Sequence, residues 1–410
     1  MTTPLILTNA RIVDSRGEVT ASADVRIEGS VITHVGEVEL TPGATVIDAA
    51  EKTVCPGLMN AHVHVCFDGS ADPESKYQEE SDVETALSAM PRLVETLRRG
   101  VTTVRDLGGK ADVALSLSKA IDRGDVIGPR IVAAGQVITT PSGHGHWMGL
   151  EIDGVDQALE ATKAMIRAGV GVVKVMATAG MMTSGQIAGA PQLTVDEMKA
   201  CVGEAHKAGV PIAAHVESRQ GAANAIEAGV DSIEHGHGLD DELLIKMVQD
   251  GVSLVPTIAC DRAITQLGPA AGVPRFIVDD CARLAPSLER ALRRAIDLGV
   301  TVAAGNDGGA PLTHPGDIVD ELEVYVEMGM TPQAALTAAT TSTAALLGLT
   351  GVGLVETGHR ADLVIVTGDP LASIGALRNP ETVIAAGRVL LKTSQMITID
   401  DKSTQPQRPQ

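Results

Sequence analysis

The sequence predicts an α/β protein: a (β/α)8 TIM-like barrel with a small β-sandwich domain built from both termini. Three observations predict it. A helical stretch that closes at Gly-Val and runs at once into an apolar, β-rich segment recurs six times. Residues able to hold a metal ion sit at the ends of several of those segments. The two ends of the chain are patterned differently from its middle.

At the N-terminal end, Leu5–Asp14, Asp24–Glu28 and Val31–Val35 read as short strands separated by turn residues, as do Ala361–Thr367 and Thr382–Leu390 near the other end. These define a composite sandwich over residues 1–55 and 356–400. The stretch 401–410 is polar and carries two prolines, so a flexible tail is expected there. Between them, residues 56–355 form the barrel. Its first strand is read over Thr53–Ala61, its second from Val101 and its third over Pro129–Gly135. The remaining five follow Gly169, Gly209, Gly229, Gly251 and Gly299. Glycine closes a helix in the left-handed conformation without a Cβ penalty. The short, wholly apolar strands that follow read as parallel and covered on both faces. A doubly wound open sheet is the alternative, but no GxGxxG follows any strand.

Composition bounds the function. Hydrophobic residues make up 44% and charged residues 20%, a globular mixture. A formal net charge of -20 repels a phosphate backbone and argues against nucleic acid. No apolar run is long enough to span a bilayer. The N-terminus has no basic region followed by an apolar core, so a cytoplasmic location is expected. Cys55, Cys66, Cys201, Cys260 and Cys281 show no CxxC spacing and read as free thiols. Aromatic residues are only 1%, which makes Trp147 the obvious side chain to stack on a substrate.

His62-x-His64 closes the first barrel strand. Residues two apart on a strand face the same way, so both imidazoles can grip one ion. Lys174, His215, His235 and Asp307 close the fourth, fifth, sixth and eighth strands. A charged or ligating group in an apolar run is costly unless it is paired or metal-bound, and six at one rim point to a metal site. A snorkelling or salt-bridged lysine is the plainer reading of Lys174. Around this rim, His144 or His146 can bind a substrate carboxylate or an oxyanion. Arg219 can pair with a carboxylate, and His237 lies two past His235. Arg105-Asp106 reads as a structural salt bridge. The loops Phe67–Ser81 and Met181–Gln192 are expected to shape the pocket.

At this point the chain resembles the amidohydrolase superfamily over nearly its whole length. The resemblance rests on Pro56-Gly-Leu-Met-Asn-Ala-His62-Val-His64, Lys174, Ala214-His215, Ile233-Glu-His235-Gly, Gly305-Asn-Asp307 and Gly358-His-Arg-Ala-Asp-Leu-Val-Ile. Gly-His-Gly-His at 143–146 is most similar to the Xaa-Pro dipeptidase and lysine/arginine carboxypeptidase group, with imidazolonepropionase further off. The resemblance implies two divalent metal ions, zinc fitting best. One is expected on His62, His64 and Asp307, the other on His215 and His235, with Lys174 as a CO2-derived carbamate between them. Asp307 is expected to accept the proton of the attacking water.

The expected activity is therefore hydrolysis of an amide or peptide C–N bond in a dipeptide or N-acyl amino acid, by a homo-oligomer. Carbamates, phenylureas and other xenobiotic amides form one alternative. A ring aminohydrolase is another, against which stand Lys174 and the position of Glu217, two residues after His215 where deaminases carry Glu at three. A metal-free scaffold protein is the third.

Overall fold

The computed structural model describes residues 3–17, 19–392 and 396–398, so the tail expected over 401–410 lies outside the described residues. The chain starts with β1 (Leu5–Val13), β2 (Val19–Glu28), β3 (Val31–Gly36), β4 (Thr45–Asp48) and β5 (Lys52–Pro56). β1 pairs antiparallel with β2 along one edge. A strand has only one other edge, and two partners divide it: Leu5–Thr8 pairs with β4, Arg11–Ile12 with β5. The two chain ends therefore meet in one forked sheet. Buried Leu7, Val25, Ile32, Val54, Leu363 and Ile384 hold that sheet together as a core of its own.

The expected first barrel strand, Thr53–Ala61, is two strands in two sheets. Lys52–Pro56 stays in the forked sheet, and β6 (Leu58–Val63) starts the parallel system. Gly57 is the changeover: a Cβ there would overlap the Thr102 side chain. Only glycine lets the backbone pass that close.

The parallel strands continue as β7 (Val101–Asp106), β8 (Arg130–Ala133), β9 (Val137–Thr139), β10 (Gly149–Glu151), β11 (Val173–Met176), β12 (Ile212–Val216), β13 (Ser232–His235) and β14 (Ser253–Val255). Helices separate most of them, and several close as the sequence reads; Gly169 and Gly229 end theirs at φ 89°. Hydrogen bonding orders one parallel sheet β6-β7-β8 and a second β10-β9-β11-β12-β13-β14. At one seam Gly171 N–H donates to the Ala133 carbonyl. At the other, the segment around Val302 bridges Leu254, and Ala61 N–H donates to the Ala304 carbonyl. The eighth strand expected after Gly299 is reduced to that bridge.

The chain returns to the forked sheet as β15 (Leu363–Thr367), β16 (Thr382–Ala385), β17 (Arg388–Lys392) and β18 (Met396–Thr398). β15 pairs antiparallel with β5, and β18 with β4. Among the described residues no helix is long and apolar enough to cross a membrane.

Candidate metal centre

β6, β11, β12 and β13 bring His62, His64, Lys174, His215 and His235 to one end of the parallel sheets, and the segment after Val302 brings Asp307. Five imidazoles form an unbroken arc. Ring centroids are 5.5 Å apart for His64–His62, 5.0 Å for His62–His235, 4.8 Å for His235–His215 and 4.4 Å for His215–His144. Asp307 Oδ1 lies 3.3 Å from Nε2 of both His62 and His64. One donor atom from each of His62, His235 and Asp307 falls within 4.8 Å of the others.

Each ring is turned by a bond on its far side. His62 Nδ1 is 2.8 Å from Glu234 Oε2, His64 Nδ1 donates to the Gly108 carbonyl at 2.8 Å, and His235 Nδ1 is 2.8 Å from Thr257 Oγ1. Such outer bonds fix the tautomer and aim the other nitrogen at the centre. Glu234 is itself held by Arg105 Nη2 at 2.7 Å and Ser232 Oγ at 2.5 Å, while Arg105 Nε donates to the Ala61 carbonyl at 2.6 Å. His235, Thr257 and Asp307 have φ of 64°, 57° and 55°. Left-handed backbone costs a non-glycine residue on the order of 1–3 kcal/mol, so three at one rim mark a place where geometry outranks local comfort.

The electrostatics suit a cation. Burial, with Lys174 nearby, pushes His62 down to about 4 and His144 to about 3. Burial and neighbouring imidazoles push His215 and His235 well below the usual range. These rings are neutral and offer lone pairs. Burial tends to raise Asp307, but His62 and His64 outweigh it and hold the carboxyl well below its ordinary value. His215 Nε2 and Asp307 Oδ1 are buried with no hydrogen-bond partner. Neutral imidazoles, a carboxylate and orphaned donor atoms are the set that a divalent ion satisfies.

Lys174 is 1% exposed, and among the described residues its side chain makes no hydrogen bond and no ion pair. Burial, aided by Arg105, lowers its amine to about 8.

The sequence reading named five substrate-facing residues. His144 and Trp147 line the cavity beside the histidine arc, with His144 Nδ1 2.8 Å from Thr183 Oγ1. Trp147 packs on Phe67 and Tyr77 with centroids 5.4 and 5.0 Å away. The other three are elsewhere. Arg219 faces solvent and pairs with Asp240 at 2.5 Å and Glu242 at 2.7 Å. His146 is half-exposed, 3.5 Å from Glu151. His237 is buried outside the cavity, its Nε2 3.6 Å from Asp261 Oδ2. Arg105 and Asp106 do not pair with each other, because neighbours on a strand face opposite ways: Arg105 reaches Glu234, and Asp106 Oδ1 accepts from Val65 N–H.

Two groups in the cavity wall were not expected from the sequence to be site residues. Glu217 and Asp261 are 4% and 5% exposed, and each keeps one carboxyl oxygen without a partner. Burial raises both far above the usual carboxylate range, helped by the nearby Asp261 charge for Glu217 and by Asp307 for Asp261. Glu217 had a signal, two residues past His215 and just beyond the end of β12; Asp261 lies in a helix and had none.

A rim of candidate metal ligands on parallel strands points to a class of hydrolase. Residues 53–390 match the Amidohydrolase family, and the chain belongs to it, with a fold of the TIM-barrel type and a hydrolase's action on amide C–N bonds. Among proteins it resembles is ochratoxinase from Aspergillus niger, 29% identical over 412 residues that cover 91% of this chain and 83% of that protein. Among solved structures, a Xaa-Pro dipeptidase with methionine bound in its active site superposes with a TM-score of 0.87 at 30% identity, over 94% of this chain and 99% of that one. A prolidase complexed with N-methylphosphonate-L-proline gives 0.88 at 28% identity, over 95% and 100%.

Proposed function

We propose that this protein is a binuclear metal-dependent hydrolase of a small amide, a dipeptide or N-acyl amino acid, working at two zinc-class ions. The ions are held by His62, His64, Lys174, His215, His235 and Asp307. The observation that carries the reading is Lys174, a buried amine whose side chain makes no hydrogen bond and no ion pair among the described residues. An unpaired buried ammonium is strongly disfavoured. The neutral amine can instead add CO2: a C–N bond forms, a proton leaves, and the side chain becomes an anionic two-oxygen ligand.

When bound, such ions supply a water of lowered pKa and polarise a carbonyl oxygen. The chain's own groups do the rest. Asp307, kept ionised, accepts the proton of the attacking water and returns it to the leaving amine. His144, fixed through Nδ1 by Thr183, presents its other nitrogen to the substrate carbonyl or carboxylate. Trp147 and Phe67 form an apolar wall. Glu217 and Asp261 share the cavity with Met181, Ile264 and Ile277. Two buried carboxyls with no cation at the end of an apolar lining favour a substrate carrying a positive charge on an aliphatic stem.

We read the parallel strands as a closed (β/α)8 barrel over residues 56–355, with residues 1–55 and 356–400 as the sheet domain. All five cysteines are free and buried, in keeping with a protein of the reducing cytoplasm. Assembly into a homo-oligomer completes the proposal.

The test is elemental analysis of chelator-free protein, normalised per chain, followed by a dipeptide and N-acyl amino acid library. Close to two divalent ions and turnover of a library member support the reading. Close to one ion with ammonia release points to an aminohydrolase. No ion, and none regained from added zinc, points to a scaffold.

A further inference from the structure

The metal centre sits where the parallel strands end. Near where they begin lies a second cavity of about 470 Å³, lined by Thr102 close to the start of β7 and sharing no residue with the first. Its walls come from three stretches of chain: the N-terminal sheet strands, the end of helix Ala111–Arg123 with the loop leading to β8, and the C-terminal strands. That volume is in the range of small-ligand sites.

The charge of its lining is opposite to that of the protein. In a chain of formal charge -20, four arginines (Arg123, Arg130, Arg360 and Arg388) line this one cavity against two carboxylates, Asp122 and Asp362. Asp362 cannot satisfy them. Its Oδ1 accepts from Ala386 N–H at 2.6 Å, and its Oδ2 is shared at 3.6 Å by Arg130 and 3.3 Å by Arg360. Arg123 is taken by Asp125 at 2.8 Å. Arg130 Nη1 is buried with no hydrogen-bond partner, and Arg360 Nε has the Asp362 contact alone, without hydrogen-bond geometry. Arg388 reaches Gly124 at the end of the helix, and among the described residues it has no ion pair.

Guanidinium groups that outnumber their anions repel one another and leave donors unmet, a cost that an oxyanion removes by accepting several charge-assisted hydrogen bonds. Leu5, Ile27, Ile121, Val126 and Ile127 add apolar surface to the lining. Leu5 and Ile27 are buried there, and Ile127 stands 57% exposed at the wall. We propose that this cavity is a second binding site, separate from the metal centre, for a small molecule bearing a phosphate or carboxylate group on an apolar body. Such a ligand would join the sheet domain to the barrel, because its partners come from both.

The test is calorimetric titration of the full-length metal-loaded protein with inorganic phosphate, phenyl phosphate and 3-phenylpropionate at fixed ionic strength. The expected result is saturable binding of at least one aryl probe, tighter than inorganic phosphate. Preference for phenyl phosphate or for 3-phenylpropionate then tells a phosphate from a carboxylate ligand. Arg388→Gln should weaken binding about tenfold, the worth of one charged hydrogen bond, and Arg360→Gln with Arg388→Gln should abolish it. Both variants should keep their metal content, which shows that they fold. No saturable binding of any probe overturns the proposal. So does binding that survives the double substitution, which assigns the probe to the metal centre.

Discussion

Glu234 joins two residues that never meet: one carboxyl oxygen lies 2.8 Å from His62 Nδ1, the other 2.7 Å from Arg105 Nη2. All three side chains are buried. The orientation of a metal-facing imidazole is thus set by an ion pair across the parallel strands. Glu234→Gln keeps the shape and removes the charge. Metal affinity should fall roughly 10–100-fold, the usual effect of losing an outer carboxylate. The melting temperature should fall too, since an unpaired buried guanidinium costs about 3–5 kcal/mol. Zinc titration and thermal denaturation check the two parts separately.

Lys174→Ala should lose most activity and at least one bound ion. Elemental analysis and turnover measure both, and a 13C-bicarbonate label should give a carbamate carbon signal in the parent protein only. Unchanged metal content and rate would remove Lys174 from the mechanism.

Asp307→Asn should lower turnover by roughly 10²-fold or more, in the range for losing a positioned proton acceptor, with a far smaller effect on folding. Rates near those of the parent would place the proton acceptor elsewhere.

Glu217→Gln should cut kcat/KM for a substrate with a basic side chain by about tenfold or more while changing that of its neutral isostere little. The comparison needs the same scissile bond in both substrates. An equal loss for both would mean that Glu217 serves the architecture alone.

Glu321 should impose a pH dependence on stability. Burial raises its carboxyl to about 7, only partly offset by the N–H groups of Ile258 and Ala259 that it accepts at 3.0 and 2.6 Å. Its folded value lies above the unfolded one, so its contribution is fully present below pH 4.5 and is lost as pH rises through 7. Glu321→Gln should flatten that part of the profile, by at most ~1.4 kcal/mol per pH unit. Urea midpoints across this window provide the check.

The rim residues were legible because each interrupts an apolar strand, where a lone ligating side chain stands out. Their supports were not. Arg105, Glu234 and Thr257 are bound to residues 22 to 172 positions away, and no local pattern announces a partner at such range. Arg105 illustrates the trap: its neighbour Asp106 suggested a pair, yet strand alternation sends the two apart. Whether His146 and Arg219 face the cavity was undecided in the sequence for a related reason. Loop and helix starts lack the two-residue period that tells inward from outward. The fork in the sheet was equally hidden, since it depends on how β4 and β5 divide one edge of β1.

The aromatic wall has a practical consequence. Trp147 is the chain's single tryptophan, and it stands in the cavity beside the histidine arc, against Phe67 and Tyr77. Tryptophan-selective fluorescence of the unmodified protein therefore reports on one location. A change in emission on adding substrate or ion is a signal from the pocket itself, with no label attached and no background from elsewhere in the fold.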